Sequence, residues 1–250
     1  MAKINMEKKG QVTIFIIMGI VIVSAVLVFF LWAKPTYLSE GGRKLNFENC
    51  VEDVVEQTIS DLEKNAGFED PKFTYKYNGE EFAYLCYTNE YYKTCTVQVP
   101  FLKNNFDEQM EAAIKDKVNT CYSNSISELE AQGYSVTKGE VTYDVLIEPG
   151  VVRVEIEAPT VVGSSSFAKF NVRINSPIYD MVMLSTSILQ FESSYGGFDT
   201  SSAMLYYPDY IIGKIKRSDG TTLYTVENKI FGNKFQFASR SLAWPAGYAI

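Results

Sequence analysis

NFENCVEDVVEQTISDLEKNAGF, residues 46–68, sets Phe47, Val51, Val54, Val55, Leu62 and Ala66 at helical spacing, with Ile59 one step off the seam. A stripe of that kind predicts an amphipathic helix with one face against a core. Asn46 suits the N-cap and Gly67 the stop. Cys50 lies on the apolar seam, so whatever helix packs there can meet it with a second cysteine.

That second helix is predicted over residues 105–132, where Phe106, Met110, Ala113, Ile114, Val118, Cys121, Ser125 and Leu129 form one seam ended by Gly133. Between the helices, two strand-like runs, 82–87 and 94–99, flank a polar, tyrosine-rich connection and read as a hairpin. Cys86 and Cys95 share the parity of their apolar neighbours, so their sulfurs can face each other. Of the three pairings open to four cysteines, Cys50–Cys121 and Cys86–Cys95 follow from these phases. A four-thiolate zinc site is the rival, but no spacing among positions 50, 86, 95 and 121 makes a C-x-x-C knuckle.

From residue 134 the pattern turns to β. Runs 134–147 and 151–158 flank the turn Glu148-Pro149-Gly150, and 167–174 offers a third strand. Ser176-Pro177 opens a helix toward Phe191. Strands 211–216 and 222–227 surround Ser218-Asp219-Gly220, and 235–237 is strand-like. The expected class is α+β, with two long helices and an antiparallel sheet, divided into a helix-hairpin-helix region (46–133) and a β-rich region (134–250).

Upstream, VTIFIIMGIVIVSAVLVFFLW, residues 12–32, holds no charge. At a rise of ~1.5 Å per residue it would reach ~31 Å, the thickness of a hydrocarbon core. A single span must satisfy its own backbone, which predicts a transmembrane helix. Residues 1–11 are then a basic cytoplasmic tail, and 33–45, with Pro35, Gly41 and Gly42, a linker. Lysine balance hardly orients the span, because Lys3, Lys8 and Lys9 precede it while Lys34, Arg43 and Lys44 follow. The cysteines decide it: all four lie after the span, and disulfides need an oxidising compartment. The expected location is therefore the cell membrane, single-pass, N-terminus cytoplasmic and C-terminal domain extracellular, with the lipid bilayer as first partner.

Of 23 basic and 30 acidic side chains, three basic and one acidic precede position 33, leaving 20 and 29 in the rest, a net charge of −9. So acidic a head argues against a nucleic-acid partner. Histidine is absent, which removes Ser-His and Cys-His nucleophile pairs and the commonest metal ligand. No metal and no cofactor are expected. Ser166 and Lys169 match S-x-x-K, but a strand-like run would point them apart. Acidic pairs such as Glu52-Asp53, Glu80-Glu81 and Asp107-Glu108 fit a turn and helix first turns. Tyr87, Tyr91 and Tyr92 cluster in the loop that Cys86–Cys95 would close, and tyrosine there suits a recognition surface. The apolar end, 235–250, is expected to dock on its own domain.

The run Lys8-Lys9-Gly10-Gln11 before the apolar segment resembles the class III signal of archaeal type IV pilins and archaellins. In that family a membrane peptidase cuts after the glycine, here between Gly10 and Gln11, freeing the helix for a filament core. Phe15 stands where many pilins carry a glutamate, five residues into the mature chain. The order of a basic-Gly-Gln span, a helix beginning at a cysteine and a Cys-hairpin-helix-Cys region is also similar to surface proteins of small-genome archaea. The resemblance implies a prepilin-type peptidase, self-assembly or other surface proteins as partners.

The function expected is a non-enzymatic, membrane-anchored cell-surface protein, pilin-like or part of envelope or adhesion. The alternative is an anchored extracellular hydrolase working through carboxylates or Ser166 and Lys169. An inward-signalling receptor fits least, because 11 residues are too few for a cytoplasmic domain.

Overall fold

The structure, a computed structural model, describes residues 21–24 and 46–244. The expected tail, span and linker lie outside these, except for residues 21–24, which are helical. Among the described residues no helix is long and apolar enough to cross a membrane. From Asn46 the described chain is one unit of mixed α+β structure held by two disulfides.

Helix α1 (Phe47–Lys64) buries Phe47, Val51, Val55, Ile59 and Leu62, a ladder of steps of three and four. Asn46 itself adopts helical angles (φ −60°, ψ −1°) and makes no side-chain cap; its carbonyl instead accepts from the Cys50 amide. The end behaves as the glycine demands. Ala66 and Gly67 both have positive φ, and the Gly67 amide returns to the Leu62 carbonyl at 2.8 Å. After α1 come β1 (Thr74–Tyr77), β2 (Glu80–Tyr87) and β3 (Thr96–Val97), then α2 (Leu102–Ala131). In α2 the buried row Leu102, Phe106, Met110, Ile114, Val118 and Tyr122 advances four residues at a time. Phe47 meets Tyr122 and Phe170 edge-on at 5.6 and 5.1 Å, tying α1 to α2 and to the second sheet.

That second sheet contains β4 (Val136–Lys138), β5 (Thr142–Glu148), β6 (Val151–Val162) and β7 (Ser165–Asn175), all antiparallel. Long β6 is central. Its Val152, Val154, Ile156 and Ala158 are buried, while Glu155 and Glu157 face solvent. The single strand expected over 134–147 is two, because the Gly139 amide turns to bond the Pro159 carbonyl at 2.7 Å. Pro159 also has no amide to give the ladder, and the β6–β7 register slips there.

Helix α3 (Ile178–Tyr195) and short α4 (Thr200–Tyr206) precede the strands β8 (Tyr210–Lys216), β9 (Thr221–Asn228) and β10 (Lys234–Arg240). These join the earlier strands in one sheet of order β1-β2-β10-β9-β8, with β3 beside β2. Two expectations are corrected here. The sheet is not wholly antiparallel, since β10 runs parallel to β2. The hairpin after Phe82 keeps only two pairs, Cys86 with Val97 and Tyr87 with Thr96, because β1 takes the rest of that edge. The parallel pair also draws the 46–133 and 134–250 stretches into one sheet. Helix α1 packs against both β7 and β10, so a single core runs under both sheets.

Candidate functional site

The Cys86–Cys95 disulfide closes a loop that leans on the chain just beyond β10. Thr88 donates to the Arg240 carbonyl at 2.9 Å, Tyr92 to that of Leu242 at 2.8 Å, and Leu242 to that of Lys93 at 3.0 Å. Tyr92 is held at φ +64°, a conformation a bulky side chain adopts only when its surroundings impose it. Tyr91 and Tyr92 are 76% and 79% exposed.

These two rings stand on the wall of a cavity of about 730 Å³, within the range of ~300–1,000 Å³ usual for ligand pockets. Glu192 of α3 lies at its floor, 2% exposed. Its carboxylate accepts from the buried Tyr224 hydroxyl and from Ser239 Oγ at 3.2 Å. Burial first, and then the neighbouring Glu192 charge, push the Tyr224 phenol far above its ordinary range, so it stays a proton donor. Lys216, Arg217 and Arg240 also line the cavity, with Asp219 on the turn between β8 and β9. Burial draws Lys216 below the usual lysine value. The Arg240 guanidinium donates to the Asp219 and Thr88 carbonyls, each at 2.9 Å, which locks the tyrosine loop to that turn.

Trp244 forms the next boundary, its indole N–H bonded to the Tyr195 carbonyl at 2.9 Å. Gly196, with φ +75°, ends α3 beneath it. A Cβ on Gly196 would come within 2.6 Å of the Ala243 side chain, so the close approach needs glycine twice over. Beyond Trp244 and Gly197 a second cavity opens, about 850 Å³, between α3 and α4. Phe191, Phe198, Ala203, Tyr206 and Tyr207 give it an apolar lining. Elsewhere, Glu63 faces a smaller cavity and accepts from Asn233 Nδ2 at 2.8 and 3.0 Å. Burial outweighs those bonds and raises its carboxyl to about 7.

The cysteines pair as Cys50–Cys121 and Cys86–Cys95. The tyrosine trio divides: Tyr91 and Tyr92 line the cavity, whereas Tyr87 packs at 4.8 Å on Phe73 and 5.1 Å from Tyr84, beneath Arg240. Gly10 and Gln11 lie outside the described residues. Lys169 pairs with Glu157 at 2.8 Å, across β6 and β7, and Ser166 stands opposite Val161. Among the described residues no three His, Cys, Asp or Glu side chains gather as a metal set. Sequence reasoning missed Glu192, though it left a trace: position 192 continues the buried seam of Leu184, Ser185, Ile188 and Leu189, where a carboxylate is out of place. No family model, no curated protein and no solved structure matches this chain.

Proposed function

We propose that this chain is a non-enzymatic, membrane-anchored surface protein whose disulfide-stapled head displays a recognition cavity. One observation carries the reading: two exposed tyrosines, on a loop closed by Cys86–Cys95, stand on the wall of a cavity floored by a buried carboxylate. Tyrosine offers broad contact area at small entropic cost, which suits adhesion or envelope contacts. Two disulfides and no free cysteine among the described residues support an oxidising compartment. The uncharged run 12–32 supplies the anchor. A cut between Gly10 and Gln11 by a prepilin-type peptidase would release that anchor for assembly. Alkaline carbonate extraction of membranes tests the anchor: the chain stays with the lipid, and release into the supernatant would refute it. Mass spectrometry of the retained chain reads the N-terminus, Gln11 under processing.

One observation favours an anchored carboxylate hydrolase, since Glu192 and Asp219 line the same cavity. That reading requires turnover of a bound glycoside, abolished by Asp219→Asn; binding without turnover leaves the first.

A further inference from the structure

Three aromatic residues line the cavity that Glu192 floors: Tyr91, Tyr92 and Trp244, each more than half exposed. Apolar surface gathered like this and rimmed by polar groups marks a binding groove, unlike the single rings scattered over any protein surface. Much of it is fixed before a ligand arrives. The Trp244 indole N–H is held by the Tyr195 carbonyl at 2.9 Å, and the backbone carrying Tyr92 by the Leu242 carbonyl at 2.8 Å. A surface fixed beforehand loses little freedom on binding.

The polar lining narrows the ligand further, because its charged groups already have partners. Arg240 donates to the Asp219 and Thr88 carbonyls, Arg217 to the Tyr75 hydroxyl at 3.3 Å, and Lys216 is partnered too. Each Asp219 carboxylate oxygen accepts one bond from Thr221. Ser241 Oγ accepts from the Cys95 amide at 3.3 Å. What remains is spare capacity: a carboxylate oxygen can accept a second bond, and a hydroxyl that accepts can also donate. A ligand hydroxyl, which donates and accepts, uses that capacity without displacing what is there. An anion would have to draw Arg240 off the loop it ties down.

We infer that this cavity binds an uncharged saccharide, its C–H faces against Tyr91 and Trp244 and its hydroxyls on Asp219, Thr222 and Ser241. The inference rests on the recognition reading above and names the ligand class. A pyranose carries both chemistries that the wall offers, a rigid face of C–H groups and a rim of hydroxyls. The C–H face displaces water from the rings, and the hydroxyls replace the water that Asp219 gives up. A hydrocarbon would strand that carboxylate without a substitute for its water. The cavity's volume falls within the small-ligand range, which suits a short saccharide or the end of a longer one.

The test titrates the full chain in phosphatidylcholine nanodiscs, by calorimetry, with cellotriose, maltotriose, mannotriose and triacetylchitotriose. At least one should bind saturably, after subtraction of empty discs. Sorbitol has hydroxyls but no rigid C–H face, and adenosine has a stacking face but few hydroxyls; each should bind at least about tenfold more weakly. Affinity should hold constant from roughly 0.05 to 0.5 M salt, as an uncharged ligand requires. Tyr91→Ala, at an exposed position, should weaken binding about tenfold without endangering the fold, whereas Tyr91→Phe should keep it, because the ring carries the contact. Binding of none of the four sugars would overturn the inference. So would an affinity that falls steeply with salt, tighter binding of adenosine than of any sugar, or full affinity in Tyr91→Ala combined with Trp244→Ala. If the sugars fail while Tyr91→Ala still abolishes adhesion of intact cells, the ligand class falls and the recognition reading stands. The titration reads the head alone, so its failure is also separate from a failed carbonate extraction.

Discussion

The two disulfides have the same bond and different work. Cys50–Cys121 spans 71 residues and joins two helices whose neighbours are Phe47, Val118 and Tyr122, deep in the core. Cys86–Cys95 spans 9 residues and shapes the loop that lifts Tyr91 and Tyr92 to the cavity wall. Loop length alone separates them energetically, since closing a longer loop removes more freedom from the unfolded chain. One cross-link therefore belongs to the fold and the other to the site.

The largest effect expected is from Cys50→Ala with Cys121→Ala, a loss of about 4 kcal/mol in the chain-entropy account. Urea unfolding would read it, and the resistance of the Tyr91–Tyr92 loop to limited proteolysis in the folded fraction should stay unchanged. A loss of loop protection as large as the loss of stability would erase the distinction.

Glu63 sharpens the core side of the comparison. Its carboxyl rises from 4.5 to about 7 in the fold, so the folded chain holds this proton more tightly than the unfolded one. Its contribution to stability is fully present below about 4.5 and is lost as pH rises through about 7. Glu63→Gln removes that slope and should raise stability at pH 8 by roughly 3 kcal/mol, read by thermal melts from pH 4 to 9. Identical slopes in both proteins would show that Glu63 is not the group titrating.

Cys86→Ser with Cys95→Ser should cost less, about 2.5 kcal/mol. Here the loop's resistance to proteolysis should fall with stability, because the tyrosine loop loses its closure. Smallest is Tyr92→Gly. Relief of the positive φ should gain about 0.5–1 kcal/mol, read by urea unfolding, and an unchanged midpoint would show that the turn carries no strain.

The core half of this comparison was legible in the sequence. Apolar residues four apart placed α1 and α2, and their phases brought Cys50 to Cys121. The site half was much less so. Tyr91 and Tyr92 stood out by exposure-prone composition, but their partners Lys216, Arg240 and Trp244 arrive from more than a hundred residues away. The parallel pairing of β10 with β2 brings them there, and parallel pairing leaves no local turn signature. Short β1 and α4 escaped for a related reason: four strand residues and two helical turns carry too little periodicity to read. Glu192 was visible as a polar interruption of an apolar seam, a signal that points to a buried network before any partner is known.

Proteolysis of intact cells tests the account most directly. Proteinase K added outside should remove the head from 46 onward and leave a membrane-embedded fragment containing 12–32. A head that survives on intact cells and is degraded only after lysis would contradict the account.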